Sequence, residues 1–202
     1  FENAQARERT QVLMDLANKE SGLVVGTGDL SELALGFTTF GGDHLSMYNV
    51  NGSVPKTLVR LLVAEAAKDP LHATEKEALE QVLALPISPE LLPPGKRGEM
   101  SQRTEDIVGP YELHDFFLHA FLRLGASPPK MLFLAEAAFA DTYSEATLRK
   151  WLRVFVQRFF TAQFKRSVAP DGPKVGSVSL SPRGDFRMPS DSRPTAWLEQ
   201  ME

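Results

Sequence analysis

The chain has no cysteine. Disulfides, thiolate metal centres and cysteine nucleophiles are thereby excluded, and a reducing, cytoplasmic setting is expected. Positive charge is not in excess, since 22 Lys and Arg stand against 26 Asp and Glu for a formal net charge of −4. A nucleic-acid binder would show a basic face, so that partner is not expected, although local basic pairs can still hold a small anion. No apolar run approaches the ~20 residues that cross a bilayer, so no membrane partner is expected either. The histidines, His44, His72, His114 and His119, lack metal-ligand spacing. His114 and His119 lie five apart and do not share a helical face; His114 is expected to be exposed or hydrogen-bonded. No Ser/His/Asp triad can be argued. The N-terminus, Phe1-Glu2-Asn3-Ala4-Gln5-Ala6-Arg7, carries no initiator methionine and has the character of neither a signal nor a transit peptide. It reads as the first turn of a helix, which makes a fragment, or a chain cut from something longer, the expectation.

What is present suffices for a core: 43% apolar residues in 202 allow one large domain or two small ones. Val12, Leu13, Leu16 and Ala17 form one stripe and predict a helix over 3–19, ended by Ser21-Gly22. Leu23-Val24-Val25 has the look of a short buried parallel strand. Gly26-Thr27-Gly28 then turns the chain, and Asp29-x-x-Glu32 has the form of a capping box opening a helix that runs through Gly36. Strand, Gly-rich turn and helix make half of a nucleotide-binding α/β unit. Residues 41–53 read as a polar loop and 56–67 as a helix. Thr74-x-x-Glu77 is a second capping-box pattern, starting a helix to about Leu83. Residues 86–109, rich in Pro and Gly, read as a long loop.

Three helices follow. Leu113, Phe116, Phe117, Ala120, Phe121 and Leu124 mark the first, and Ser127-Pro128 opens the second, running to about Phe139. Leu148, Leu152, Phe155, Val156, Phe159 and Phe160 mark the third. From Ala169 onward Gly, Pro and Ser predict an extended tail, closing with a short helix near Trp197. The expected organisation is a unit over 1–168 and a tail over 169–202.

Several residues have two readings from spacing alone. Thr27 sits where backbone N–H groups and a hydroxyl can meet a nucleotide, yet most such turns merely connect elements. From its spacing Glu32 reads first as a capping partner, with a Mg²⁺ ligand between phosphates as the alternative. Lys56 opens a helix after Pro55, against the helix dipole, which is easier to understand if an anion is shared there; a solvated lysine is the alternative. Arg7 and Arg9 lie early in the first helix. The pair Lys165-Arg166 follows a very apolar helix, where dipole compensation and phosphate anchoring compete.

Several stretches, in order and spanning nearly the whole chain, resemble the synthetase domain of glutamine-dependent NAD(+) synthetases. They include Glu2-Asn3-Ala4-Gln5-Ala6-Arg7, Gly26-Thr27-Gly28-Asp29-Leu30-Ser31-Glu32, Ser53-Val54-Pro55-Lys56-Thr57 and Ile87-Ser88-Pro89-Glu90-Leu91. Further on come Tyr111-Glu112-Leu113-His114-Asp115, Gln163-Phe164-Lys165-Arg166-Ser167 and Pro170-Asp171-Gly172-Pro173-Lys174-Val175.

The resemblance implies an α/β class: a partial Rossmann-like ATP-pyrophosphatase (adenine nucleotide alpha hydrolase-like) fold, mostly helical here and normally acting as a homo-oligomer. In such an enzyme ATP adenylylates the nicotinate carboxylate of deamido-NAD with release of pyrophosphate; glutamine-derived ammonia then attacks and AMP leaves. The resemblance assigns Thr27, Lys56 and Ser88 to ATP and Glu32 to Mg²⁺. It places Asn3, Arg7, Glu32 and Lys165 towards deamido-NAD, with Phe37, Thr38, Thr39 and Phe40 framing the nicotinate side. Lys174 and Ser181 to Asp185 match the long, glutamine-using branch without a chemical role. Two parts of the family pattern are absent: the Ser-Gly-Gly-x-x-Ser phosphate loop and the N-terminal glutaminase domain with its cysteine. The chain alone is therefore expected to be inactive. The alternatives are a non-catalytic packing or dimerisation fragment with residual nucleotide binding, and another ATP-pyrophosphatase ligase such as a GMP or asparagine synthetase, against which residues 3–7 and Lys165-Arg166 count.

Overall fold

In the computed structural model, residues 1–85, 107–177 and 179–202 are described. The ATP contact expected of Ser88, and most of the loop expected over 86–109, lie outside them. Helix α1 spans Glu2–Lys19 and is followed by strand β1, Val25–Gly26. A six-residue helix α2, Leu30–Leu35, leads to strand β2, Tyr48–Asn49, and helix α3, Lys56–Ala66. After a 3-10 turn at Pro70–His72 comes α4, Lys76–Ala84. Helices α5, Tyr111–Leu124, α6, Pro128–Ala138, and α7, Glu145–Thr161, form the body. A short α8, Gln163–Arg166, then gives way to the tail, which closes with α9, Thr195–Leu198. The two strands pair in parallel, Val25 with Tyr48 and Gly26 with Asn49.

The apolar stripes of α5, α6 and α7 meet as their spacing predicts. Leu113, Phe117, Met131, Leu148, Leu152 and Phe155 are fully buried among them. Each such side chain contributes roughly 1.5–3 kcal/mol of transfer free energy. Ser144 starts α7 by accepting the Thr147 N–H at 3.2 Å, and Pro128 occupies the first turn of α6, where its missing N–H costs nothing. The tail returns to this core rather than leaving it: Phe186 and Trp197 pack edge-on against Phe121, at 5.9 and 5.2 Å between ring centroids, and Leu180 and Met201 are buried.

Three expectations need correction. Val12, Leu13 and Leu16 lie on the outer side of α1, each nearly half exposed, while the inner side is Ala6 and Thr10. Small residues let α1 approach residue 42 closely, and the larger stripe is left without cover among the described residues. The strand is parallel but not buried, since Leu23 is 58% and Val25 50% exposed. The Thr74 capping box does not form, because α4 starts at Lys76 with Glu75 in the cap position, and Glu77 is then too early to reach back. Of the two readings of His114, exposed or hydrogen-bonded, the second holds: it is buried and its Nε2–H donates to the Val108 carbonyl.

Candidate functional site

Helix α2 is the scaffold of the site, and both its ends carry chemistry. At its start the expected capping box is complete: Asp29 Oδ1 accepts the Glu32 N–H at 2.9 Å and Glu32 Oε2 accepts the Asp29 N–H at 3.1 Å. The remaining carboxylate oxygens clasp Lys56 from α3, with the ammonium 2.8 Å from Asp29 and 2.9 Å from Glu32. The two oxygens of Glu32 divide the work, one capping α2 and the other pairing with Lys56. Two carboxylates share one ammonium, which leaves a net negative site only about one fifth exposed at Lys56 and Glu32. Burial, followed by the repulsion of Asp29, pushes the Glu32 carboxyl up in spite of Lys56. Burial pulls the Lys56 ammonium down, but Glu32 and Asp29 override it and its pKa is raised. Thr27 is exposed in the turn just after β1, beside this cluster in sequence, at the C-terminal end of a parallel strand.

A third carboxylate fixes the geometry. Asp115 on α5 accepts the Ser31 hydroxyl, and Ser31 Oγ in turn accepts the Lys56 N–H at 2.8 Å. Lys56 also lies 5.3 Å from the centroid of the Tyr111 ring, whose hydroxyl pKa burial raises. Asp115 and Tyr111 were not singled out as site residues by the sequence. Their helix carried only an apolar stripe, and nothing local shows that its first turn faces α2.

The other end of α2 gathers most of the residues expected to face deamido-NAD. The helix stops at Gly36, whose left-handed φ of 62° turns the chain; a Cβ there would stand 2.3 Å from the Ala162 Cβ. Lys165 donates to the Gly36 and Thr38 carbonyls at 2.6 and 2.5 Å. From α1, Arg7 Nε donates to the Phe40 carbonyl at 3.0 Å and Asn3 accepts the Thr39 hydroxyl at 3.0 Å. Phe40 stacks on His44 at 5.3 Å and lies 5.4 Å from Phe164. Phe37 lies under the Arg158 guanidinium, 5.6 Å from its ring. Burial, then the charge of Arg158, lowers the Lys165 pKa. Neither His44 nor Arg158 was marked by any spacing.

Arg166 does something different from its neighbour. It is fully buried, with no carboxylate partner among the described residues, and donates to the carbonyls of Leu33 and Ala34 at 3.1 and 2.9 Å, to the Phe159 carbonyl, and to Gln163 Oε1 at 3.0 Å. It compensates the C-terminal end of α2 as well as that of its own preceding helix, and burial pushes it down to about 9.

Residues 1–125 match the NAD synthase family, which covers α1, the small sheet and both ends of α2. The chain belongs to that family. It is 46% identical over 222 aligned positions to the glutamine-dependent NAD(+) synthetase of Mycobacterium tuberculosis, covering 100% of this chain and 32% of the relative. The corresponding protein of Acinetobacter baylyi is 29% identical over 194 positions, covering 96% of this chain and again 32% of the relative. This chain therefore spans about a third of the length of the curated relatives it matches. A glutamine-dependent NAD(+) synthetase from Cytophaga hutchinsonii shares the fold at a TM-score of 0.78 and 19% identity, over 99% of this chain and 30% of that one. Among the described residues no group of three carboxylates or histidines converges as a metal site, and no helix is long and apolar enough to cross a membrane.

Proposed function

We propose that this chain forms the α2-centred half of an ATP-dependent NAD synthetase site, in a Rossmann-like ATP-pyrophosphatase fold. The reaction would convert deamido-NAD to NAD(+) with glutamine-derived ammonia through an adenylylated nicotinate, releasing AMP and pyrophosphate. The observation that carries the reading is the clasp of Lys56 by Asp29 and Glu32, at 2.8 and 2.9 Å, beside the Thr27 turn. An anionic site cannot take a polyphosphate as it stands. Mg²⁺ fits it, because that ion is held by one or two carboxylates plus substrate phosphates. Glu32 would hold it, with Asp29 adjacent, and the ion would supply neutralisation of phosphate charge. Lys56, released from its pairs, would turn to a phosphate oxygen, with Thr27 beside it.

At the other end of α2, Lys165, Arg7 and Asn3 surround the loop 36–40 and would anchor deamido-NAD. The Phe40, His44 and Phe164 rings would offer the nicotinate a flat apolar wall. Homo-oligomerisation would use apolar surface such as the outer stripe of α1. The phosphate loop and glutaminase are supplied by no residue here, so the chain alone is expected neither to hydrolyse glutamine nor to make NAD(+).

A packing fragment with little ligand affinity is the second reading, favoured by the fact that Lys56 and Lys165 already have protein partners. Isothermal titration with ATP plus Mg²⁺, and separately with deamido-NAD, separates the two. We expect Lys56→Ala and Glu32→Gln to abolish the first heat only, and Arg7→Ala and Lys165→Ala the second only. No heat with either ligand from a folded chain would leave the second reading standing.

A further inference from the structure

The tail returns to the loop that carries Lys56. Ser53 is buried, and its hydroxyl donates to the Pro173 carbonyl at 2.7 Å while accepting the Val175 N–H at 2.8 Å. Four residues earlier, the Asn49 N–H donates to the Asp171 carbonyl at 2.7 Å, so the tail also runs along the sheet. The approach is very close: a Cβ on Gly172 would stand 2.0 Å from the Asn49 carbonyl oxygen. The tail is latched to itself just beyond. Asp185 accepts the Ser179 N–H and hydroxyl at 3.0 and 2.8 Å and pairs with Lys174 at 3.0 Å. Lys174 and Asp185 are among the residues for which the sequence offered no role.

From Ser53 the connection divides. The Val54 carbonyl accepts the Leu30 N–H, the first of α2, at 3.0 Å. Two residues on, Lys56 is tied through its N–H to Ser31 and through its ammonium to Asp29 and Glu32. Residues 50–55 have no regular structure of their own, so their placement depends on such external bonds. A binding group held within a fraction of an ångström needs a locked support behind it.

We propose that the tail over 171–177 and 179–185 is a positioning element for the Lys56 site, with Ser53 as the joint through which it sets the start of α2 and the placement of Lys56. Ser53 touches no substrate in this scheme. The effect on ligand affinity rests on the nucleotide reading above; the effect on the protein does not.

The test is amide hydrogen exchange on the ligand-free chain, with titration of ATP plus Mg²⁺ beside it, for Ser53→Ala, Ser53→Thr and Asp185→Asn. In Ser53→Ala, exchange at Leu30, Lys56 and Thr57 should quicken at least tenfold and nucleotide affinity fall five- to tenfold. Amides of α5 to α7 should stay as in the parent. Ser53→Thr should restore both, because it keeps the hydroxyl. Asp185→Asn loosens the latch at the surface and should give the same pattern, weaker, which guards against a Ser53 variant that fails to fold. Unchanged exchange at Leu30 and Lys56 in a variant whose Val175 amide has been released would overturn the proposal. If the parent binds no nucleotide, the ATP reading fails alone and the exchange pattern still decides the joint.

Discussion

Asp115 accepts both hydrogens that Thr57 has to give, the backbone N–H at 2.9 Å and the hydroxyl at 2.7 Å. Helix α3 begins after Pro55, which has no side chain able to cap it, so its cap comes from a different helix 58 residues away. A lost cap costs typically ~1 kcal/mol, and stranded donors add to that. Asp115→Ala should therefore destabilise by about 2 kcal/mol and Thr57→Ala by about 1 kcal/mol. The double variant should fall short of the sum, because the two share one network. Urea denaturation measures all three.

Removing Lys56 should harm the fold as well as the site. Lys56→Met leaves Asp29 and Glu32 facing one another in a partly buried position, at a cost of about 1–3 kcal/mol. Adding Glu32→Gln removes one of the stranded charges. The double variant should then be more stable than Lys56→Met alone; a double variant no better than the single one would contradict the clasp.

Acid should weaken the fold through His114. Burial, opposed by the bond to Val108 and joined by the nearby Arg158 charge, pushes it down to about 4 from an ordinary 6.5. The unfolded chain therefore binds a proton that the folded one refuses between those values. The associated stability is complete above pH 6.5 and is lost as pH falls towards 4, a difference of about 3 kcal/mol at the limit. His114→Gln keeps a donor for the Val108 carbonyl without titrating. Its loss of stability between pH 7 and pH 4.5, read by thermal unfolding, should be smaller than that of the parent.

Gly36 combines two constraints that a thermodynamic cycle can separate. Gly36→Ala should lose about 1 kcal/mol to the left-handed backbone and a further 1–3 kcal/mol to the Ala162 methyl. Ala162→Gly should relieve the second and not the first. Chemical denaturation of the four proteins should give a favourable coupling of about 1–2 kcal/mol. Additive effects would mean that the two residues do not meet.

The helices were legible because their apolar residues recur at helical spacing, and the Asp29–Glu32 box because both halves of that motif are local. What the sequence did not show is which side of a helix faces inward when the inward side is small. On α1 the eye follows Val12, Leu13 and Leu16, while Ala6 and Thr10 make the buried contact. Nor does local spacing reveal caps that arrive from elsewhere. Arg166 reads as compensation for the helix it follows, yet half its bonds go to Leu33 and Ala34. Asp115 reads as one polar residue on an apolar helix, yet it ties α2 to α3. The residues grouped by family resemblance converge more fully than those read from spacing, since Asn3, Arg7 and Lys165 all reach the loop 36–40.

Lys165 closes a contact with Gly36 that spans 129 positions, and Ser53 waits for Pro173 across 120. During synthesis at ~5–20 residues per second, α2 would leave the ribosome on the order of ten seconds before Lys165 and Pro173. The clasp of Lys56 by Asp29 and Glu32 can thus close on a nascent chain before either long-range bond exists, whereas the loop 36–40 lacks its anchor until Lys165 has been made. Stalling a nascent chain before Lys165 would accordingly leave the C-terminal end of α2 unanchored while its start is already paired.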